Sequence, residues 1–186
     1  MFFLGIKLEI EGNLDESCDL ILINHQSMLD IIVMEHLHSR NIAWVAKKEI
    51  TDLFFFGHII KAPRMISIDR ENKAGLIHLL SEAKDRLSKG RPIAMFPEGT
   101  RSDGTYIGEF KAGAKMVGNK FNLKVQPVVM FNTRNIVNSQ KMEASPGVVK
   151  VIYLEPVLAS KDTSWYEDCE KNMKEVFEKE YKNYVS

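Results

Sequence analysis

The chain has 186 residues, 45% of them hydrophobic, which suits a single domain over 1–186 that buries roughly 70% of its unfolded surface. Lys plus Arg and Asp plus Glu both number 25, so no overall charge draws the protein to nucleic acid, and any anion site must be built locally. No run approaches the ~18 apolar residues of a membrane span, and the opening MFFLGI is too short for a signal-peptide core. Cys18 and Cys169 fit no metal spacing and read as unpaired thiols in a reducing compartment.

In chain order, alternation in IKLEIEG predicts a first strand, closed by Gly12-Asn13. Residues 19–24, DLILIN, form a short continuous apolar run, as expected of a strand buried on both faces. SMLDIIVMEHLH then reads as a helix with Ser27 as N-cap. NIAWVAK is a second buried strand, and MISID is strand-like. Residues 71–89 carry Leu76, Leu79, Leu80, Ala83 and Leu87 on one helical face, with Gly90 as the stop and Pro92 beyond it. PIAMFPEG is a strand running into a loop, and GEFKAGAKMVGNKF a helix weakened by two internal glycines. LKVQPVVMF and GVVKVIYLEP are strands, and 164–184 is a last helix, with Ser164 and Glu167 at capping-box spacing. Strands alternating with helices predict an α/β domain with a largely parallel or mixed central sheet flanked by helices. In such sheets ligands sit at the carboxyl ends of strands, where NHQSMLD and FPEGTRS both fall.

His25 precedes the predicted helix, so its ring can fold back over the first turn toward Asp30. A carboxylate on one ring nitrogen fixes the tautomer and leaves the other as a base. Taken alone, such a pair is more often a histidine capping a turn. There is no G-x-S-x-G elbow, so the pattern favours a base acting on an incoming hydroxyl over a covalent enzyme intermediate. In FPEGTRSDG, Glu98 and Gly99 turn the chain, Thr100 presents a hydroxyl, and Arg101 a guanidinium suited to bidentate phosphate binding. Lys47, Arg70 and Arg101 each follow a strand and can converge as a cationic pocket. Phe54-Phe55-Phe56 reads as core or as a patch that touches lipid. His36, His38, His58 and His78 share no metal-like spacing, and His78 reads as a surface or boundary residue.

In this order, NHQSMLD, KKEI…FFFG…SIDR, FPEGTRS and VQPVV resemble the four motif blocks of the glycerolipid acyltransferase family, and within it the lysophosphatidic acid (1-acyl-sn-glycerol-3-phosphate) acyltransferase branch, over roughly residues 20–130. The resemblance implies an O-acyltransferase that moves a fatty acyl group from a thioester to a lysolipid hydroxyl, giving phosphatidic acid. His25 would be the general base and Asp30 its orienting partner, with Asn24 and Ser27 supporting the turn. Glu98, Gly99, Thr100 and Arg101 match the acceptor-binding block; Arg70 and Lys47 (or Lys48) belong to the second block, which helps hold the glycerol phosphate. Pro127 matches the fourth block, associated with the acyl-donor side. The expected partners are lysophosphatidic acid, acyl-CoA or acyl carrier protein as co-substrate, and a membrane surface, with no bound cofactor and no metal. Phe54, Arg64 and Gln126 depart from the family's usual proline, glycine and valine or isoleucine. Relatives usually carry a membrane-associating segment before the first block, where this chain has about twenty residues. Either the chain has been shortened or it docks through patches such as MFFL and FFF, and peripheral attachment on the cytoplasmic face of the cell membrane is the expectation. The same chemistry on a lyso-aminolipid, a non-catalytic lipid-binding protein and a metal-dependent hydrolase are the competing expectations.

Overall fold

The computed structural model describes residues 5–47, 65–68, 73–138, 141 and 143–185, with main chain only at 47, 73 and 185. Strands β1 (Ile6–Glu11) and β2 (Leu20–Ile23) are followed by helix α1 (Leu29–Leu37), β3 (Ala43–Lys47), β4 (Ile66–Ile68), α2 (Lys73–Ser88), β5 (Ile93–Met95), α3 (Ala112–Phe121) and β6 (Lys124–Phe131). A single turn, α4 (Thr133–Ile136), leads into the two-residue strands β7 (Val137–Asn138) and β8 (Glu143–Ala144), then β9 (Gly147–Tyr153), β10 (Val157–Leu158) and the long α5 (Trp165–Val185).

Among the described residues the main sheet has eight strands in the order β1-β9-β6-β2-β5-β3-β4, with β10 beside β6. From β6 to β4 every pairing is parallel. β9 and β10 run antiparallel to β6, and β1 runs parallel to β9. This is the expected α/β architecture, parallel at its centre and mixed at one side.

The run Leu20-Ile21-Leu22-Ile23 lies near the middle of the sheet and is wholly buried. Successive strand side chains point to opposite faces, so one run serves two cores. Leu20 and Leu22 pack with Leu79 and Ala83 of α2, Ala114 and Val117 of α3, and Trp165, Met173 and Phe177 of α5. Ile21 and Ile23 pack on the other face with Leu29, Val33 and Met34 of α1 and Ile136 of α4. An unbroken apolar run is what a strand covered on both sides requires.

Element boundaries differ from expectation where side chains claim backbone groups. α1 begins after Met28, not after Ser27. The Ser27 hydroxyl still accepts the Leu29 N–H at 3.2 Å, but it donates its own proton to the Val137 carbonyl at 2.6 Å. The helix expected from 108 begins at Ala112: Lys111 before it is extended, and its N–H goes to the Pro97 carbonyl at 2.8 Å. Gly118, expected only to weaken α3, has a packing reason: a Cβ there would lie 2.7 Å from the Trp165 ring. At α5, Ser164 donates to Asp168 at 2.6 Å while Glu167 pairs with Lys115 instead of closing a capping box. Gln126 replaces the usual apolar residue for a visible reason. It is buried, accepts the Asp15 N–H at 2.8 Å and donates to the Leu154 carbonyl, tying the loop before β2 to the chain after β9.

Candidate active site

Three adjacent parallel strands, β6, β2 and β5, end at the same edge of the sheet. The residues just beyond them form the site: Asn132-Thr133 after β6, Asn24-His25 after β2, and Phe96 to Arg101 after β5. A parallel sheet thus gathers at one rim groups far apart in sequence, as open α/β sheets do.

The turn after β2 is held from both sides. Asn24 donates to the Met130 carbonyl at 2.9 Å and accepts the Met130 N–H at 2.7 Å, pinning the end of β2 to β6. The His25 N–H donates to Glu98 Oε1 at 2.7 Å, and the His25 carbonyl accepts the Ser102 N–H at 2.8 Å, pinning the same turn to the loop after β5. The imidazole stacks on Phe96 with ring centres 3.7 Å apart and planes 12° from parallel, and Phe96 in turn stacks against Trp44. The ring therefore has a fixed plane before any partner is considered.

That partner is Asp30. His25 Nδ1 lies 2.8 Å from Asp30 Oδ2; the histidine side chain is 12% exposed and the aspartate not at all. Oδ2 also accepts the main-chain N–H groups of Gln26 and Ser27, at 2.8 and 2.9 Å. These two bonds explain the five-residue spacing. The carboxylate in the first turn of α1 gathers the amides of the preceding turn, and the turn delivers the imidazole to it. As Asp30 accepts, Nδ1 carries the proton of the neutral ring and Nε2 presents the lone pair. Asp30 Oδ1 faces the other way and accepts from the Thr133 hydroxyl.

Glu98 is buried, and its two oxygens are bound to backbone: Oε1 to the His25 N–H, and Oε2 to the Gly108 N–H at 2.7 Å. Burial pushes its carboxyl up to about 7, against the two N–H bonds, which favour the charged form; the nearby Asp30 adds to the rise. Gly99 follows with φ +78°, a left-handed turn that glycine adopts without strain. The turn leaves Thr100 and Arg101 exposed beside the buried Ser102. The Ser102–His25 main-chain bond brings this loop against the histidine.

Of the second-block cations, Lys47 is the last residue of β3, in register with Ile68 of β4. Its side chain, Lys48, Arg64 and Arg70 lie outside the described residues, as do His58, the Phe54-Phe55-Phe56 run and the opening MFFL. Pro127 is buried within β6, and His78 is exposed. Both cysteines are free and buried, and burial pushes their thiols up to about 11 for Cys18 and about 12 for Cys169, so neither is an activated nucleophile. Among the described residues no three His, Cys, Asp or Glu side chains group to hold a metal ion. Phe96 and Thr133 lie beside the His25–Asp30 pair but were singled out by no local signal. Thr133 reaches Asp30 across 103 positions of sequence, through the pairing of β2 with β6.

This arrangement can take a proton from a hydroxyl presented at the rim and hold an anion beside it. Comparison with known proteins agrees in kind. Residues 6–131 match the Acyltransferase family model. A 1-acyl-sn-glycerol-3-phosphate acyltransferase of Helicobacter pylori is 42% identical over 182 residues, covering 95% of this chain and 76% of the relative. A lyso-ornithine lipid O-acyltransferase of Brucella abortus is 31% identical over 138 residues, covering 70% of this chain and 51% of its own length. The crystal structure of the 1-acyl-sn-glycerophosphate (LPA) acyltransferase of Thermotoga maritima superimposes with a TM-score of 0.75 over 98% of this chain and 74% of that one, at 24% identity, which speaks for the fold alone. With the family model covering most of its length, and a histidine–aspartate pair at the sheet rim, the chain belongs to the acyltransferase family.

Proposed function

We propose that the protein transfers a fatty acyl group from an acyl thioester to the free hydroxyl of 1-acyl-sn-glycerol 3-phosphate, giving phosphatidic acid. The carrying observation is the His25–Asp30 pair: a nearly buried imidazole, stacked on Phe96, with Nδ1 held at 2.8 Å by a fully buried carboxylate. The name of the Helicobacter relative supports the choice of acceptor. Nε2 removes the acceptor's hydroxyl proton as its oxygen attacks the thioester carbonyl. The tetrahedral adduct collapses, the C–S bond breaks, and the proton passes from the imidazolium to the departing thiolate of coenzyme A or acyl carrier protein. Arg101, with Thr100, Lys47 and Arg70, holds the acceptor phosphate. Glu98 acts by holding the His25 turn, since both its oxygens are bound to backbone. Among the described residues no helix is long and apolar enough to cross a membrane. The lipid substrate is met at a surface, on the inner face of the cell membrane, where its thioester co-substrate is made.

The test measures thioester consumed, thiol released and lipid acylated together, with lysophosphatidic acid or lyso-ornithine lipid and long-chain acyl-CoA in mixed micelles. Phosphatidic acid is the expected product. His25→Ala is expected to lower kcat by ~10²–10⁴ with the fold intact by circular dichroism. Arg101→Ala is expected to raise the acceptor KM with little change in kcat. Faster acylation of lyso-ornithine lipid would overturn the assigned acceptor, and normal turnover by His25→Ala would overturn the assigned base.

A further inference from the structure

The two oxygens of Asp30 are served by different parts of the chain. Oδ2 takes its three N–H donors from the turn it closes: His25 Nδ1, Gln26 N and Ser27 N. Oδ1 takes the hydroxyl of Thr133, which arrives from the exit of β6. A carboxylate held along one oxygen can still turn about its Cβ–Cγ bond; a donor on the second oxygen sets its plane, and with it the line along which the imidazole is drawn. Thr133 is fully buried and is itself placed. Asn132 before it adopts a left-handed conformation with φ 72°, and the Val137 N–H returns to the Thr133 carbonyl to close α4. The Val137 carbonyl then receives the Ser27 hydroxyl at 2.6 Å, so the segment is bound to the histidine turn at two points.

We propose that Thr133 is a positioning residue for this reaction, aiming the Asp30 carboxylate, and through it His25, by a hydrogen bond from its hydroxyl to Oδ1. The inference rests on the role of His25 as base proposed above. The surroundings leave the hydroxyl little choice. It has one proton, and both Asp30 Oδ1 and Gln26 Oε1, at 3.2 Å, lie within reach. The carboxylate is the stronger acceptor. Gln26 can then serve Thr133 only as a donor. Its buried Nε2 has no hydrogen-bond partner among the described residues, and turning the amide by half a revolution brings that nitrogen to the hydroxyl. The result is a one-way chain from the Gln26 amide through the Thr133 hydroxyl to Asp30 and on to His25.

The test compares the full chain with Thr133→Val, which keeps shape and loses the hydroxyl, Thr133→Ser, which keeps the hydroxyl, and His25→Ala. Two readouts are taken: kcat and KM for acyl transfer in mixed micelles, and the low-field proton resonance of the His25 Nδ1–H, assigned by its loss in His25→Ala. Thr133→Val is expected to lower kcat about tenfold or more, the scale of removing a donor from a buried charged acceptor. KM is expected to stay within about twofold, the resonance to move, and Thr133→Ser to restore both. Unchanged kcat and an unmoved resonance in Thr133→Val would overturn the proposal. So would equal losses in the valine and serine forms, since shape and not the hydroxyl would then matter. If the valine form does not fold, Thr133→Ala against Thr133→Ser makes the same comparison. If His25→Ala turns over normally, the base assignment falls by itself, and the Thr133 bond is still decided by the resonance.

Discussion

At the scale of single residues, Glu98 is a buried carboxylate whose hold on its proton is changed by folding. Its carboxyl is raised from 4.5 to about 7 by burial, although it accepts two main-chain N–H bonds. The native state therefore holds this proton more tightly than the unfolded chain. The group's stabilising contribution is complete below pH 4.5 and is lost as pH rises through about 7. Asp15, Asp85 and Asp103, held low by hydrogen bonds from Lys124, Lys89 and Thr105, act in the opposite sense, so the total curve mixes both. Subtracting the urea-unfolding free energy of Glu98→Gln from that of the intact chain isolates the group. The difference is expected to fall between pH 4.5 and 7 and to level beyond; a difference that rises over this range would show that the two N–H bonds outweigh burial. The same substitution sets an amide NH₂ against one of two main-chain N–H groups, at a cost of about 1–3 kcal/mol for the buried donor left unpaired.

At the scale of elements, α3 shows packing overriding propensity. Replacing a helical glycine by alanine ordinarily gains up to about 1 kcal/mol. At Gly118 the added methyl would meet the rigid Trp165 ring at 2.7 Å and Ala159 at 3.1 Å. Trp165 is fixed by its own bond to Asn119, at 2.8 Å, and cannot move aside freely. Gly118→Ala is expected to destabilise by ~1–3 kcal/mol, read as a lower urea midpoint with an unchanged m-value. A stabilised variant would mean that α5 shifts off α3 at little cost. α1 makes the complementary point. Its sequence alone places Asp30 one turn past His25, but the helix starts after Met28, one residue beyond Ser27, whose hydroxyl is divided between Leu29 and Val137.

At the scale of the molecule, the sheet is stable at its centre, and among the described residues β1 stands at one end of the strand order with a single neighbour. β2 is paired on both sides, by β6 and β5, and buried throughout. β1 pairs with β9 at the end of the sheet order, and Ile10 is 54% exposed. Lys150 braces that side, reaching Glu11 at 3.2 Å and Glu180 of α5 at 2.7 Å. Amides of Ile21 to Ile23 are expected to exchange only through global unfolding, and those of β1 about a hundredfold faster through local opening. Equal protection in β1 and β2 would show that something covers the β1 edge in solution.

The α/β class, the central strand Leu20–Ile23, the helices of 71–89 and 164–184 and the chemistry-bearing stretches were legible because each rests on a local cause: periodicity, an unbroken apolar run, or a motif short in sequence. The His25–Asp30 contact was also local, five residues apart within one turn. Helix starts at Leu29 and Ala112 were not legible, since the residues before them bond to distant groups, the Ser27 hydroxyl to the Val137 carbonyl and the Lys111 N–H to the Pro97 carbonyl. Glu98, expected in the acceptor-binding block, has both oxygens on main-chain N–H groups, a contact the sequence did not reveal because only the side-by-side placement of β2 and β5 puts Oε1 against the His25 N–H. Thr133 was invisible for the same reason: its partner lies 103 positions away, and the register of β6 beside β2 brings them together. By itself the sequence determined the α/β class, the longer strands and helices, and where the chemistry-bearing stretches lie; the tertiary structure added the short α4, β7, β8 and β10 and decided how those stretches are held, because the bonds that hold them cross between strands far apart in the chain.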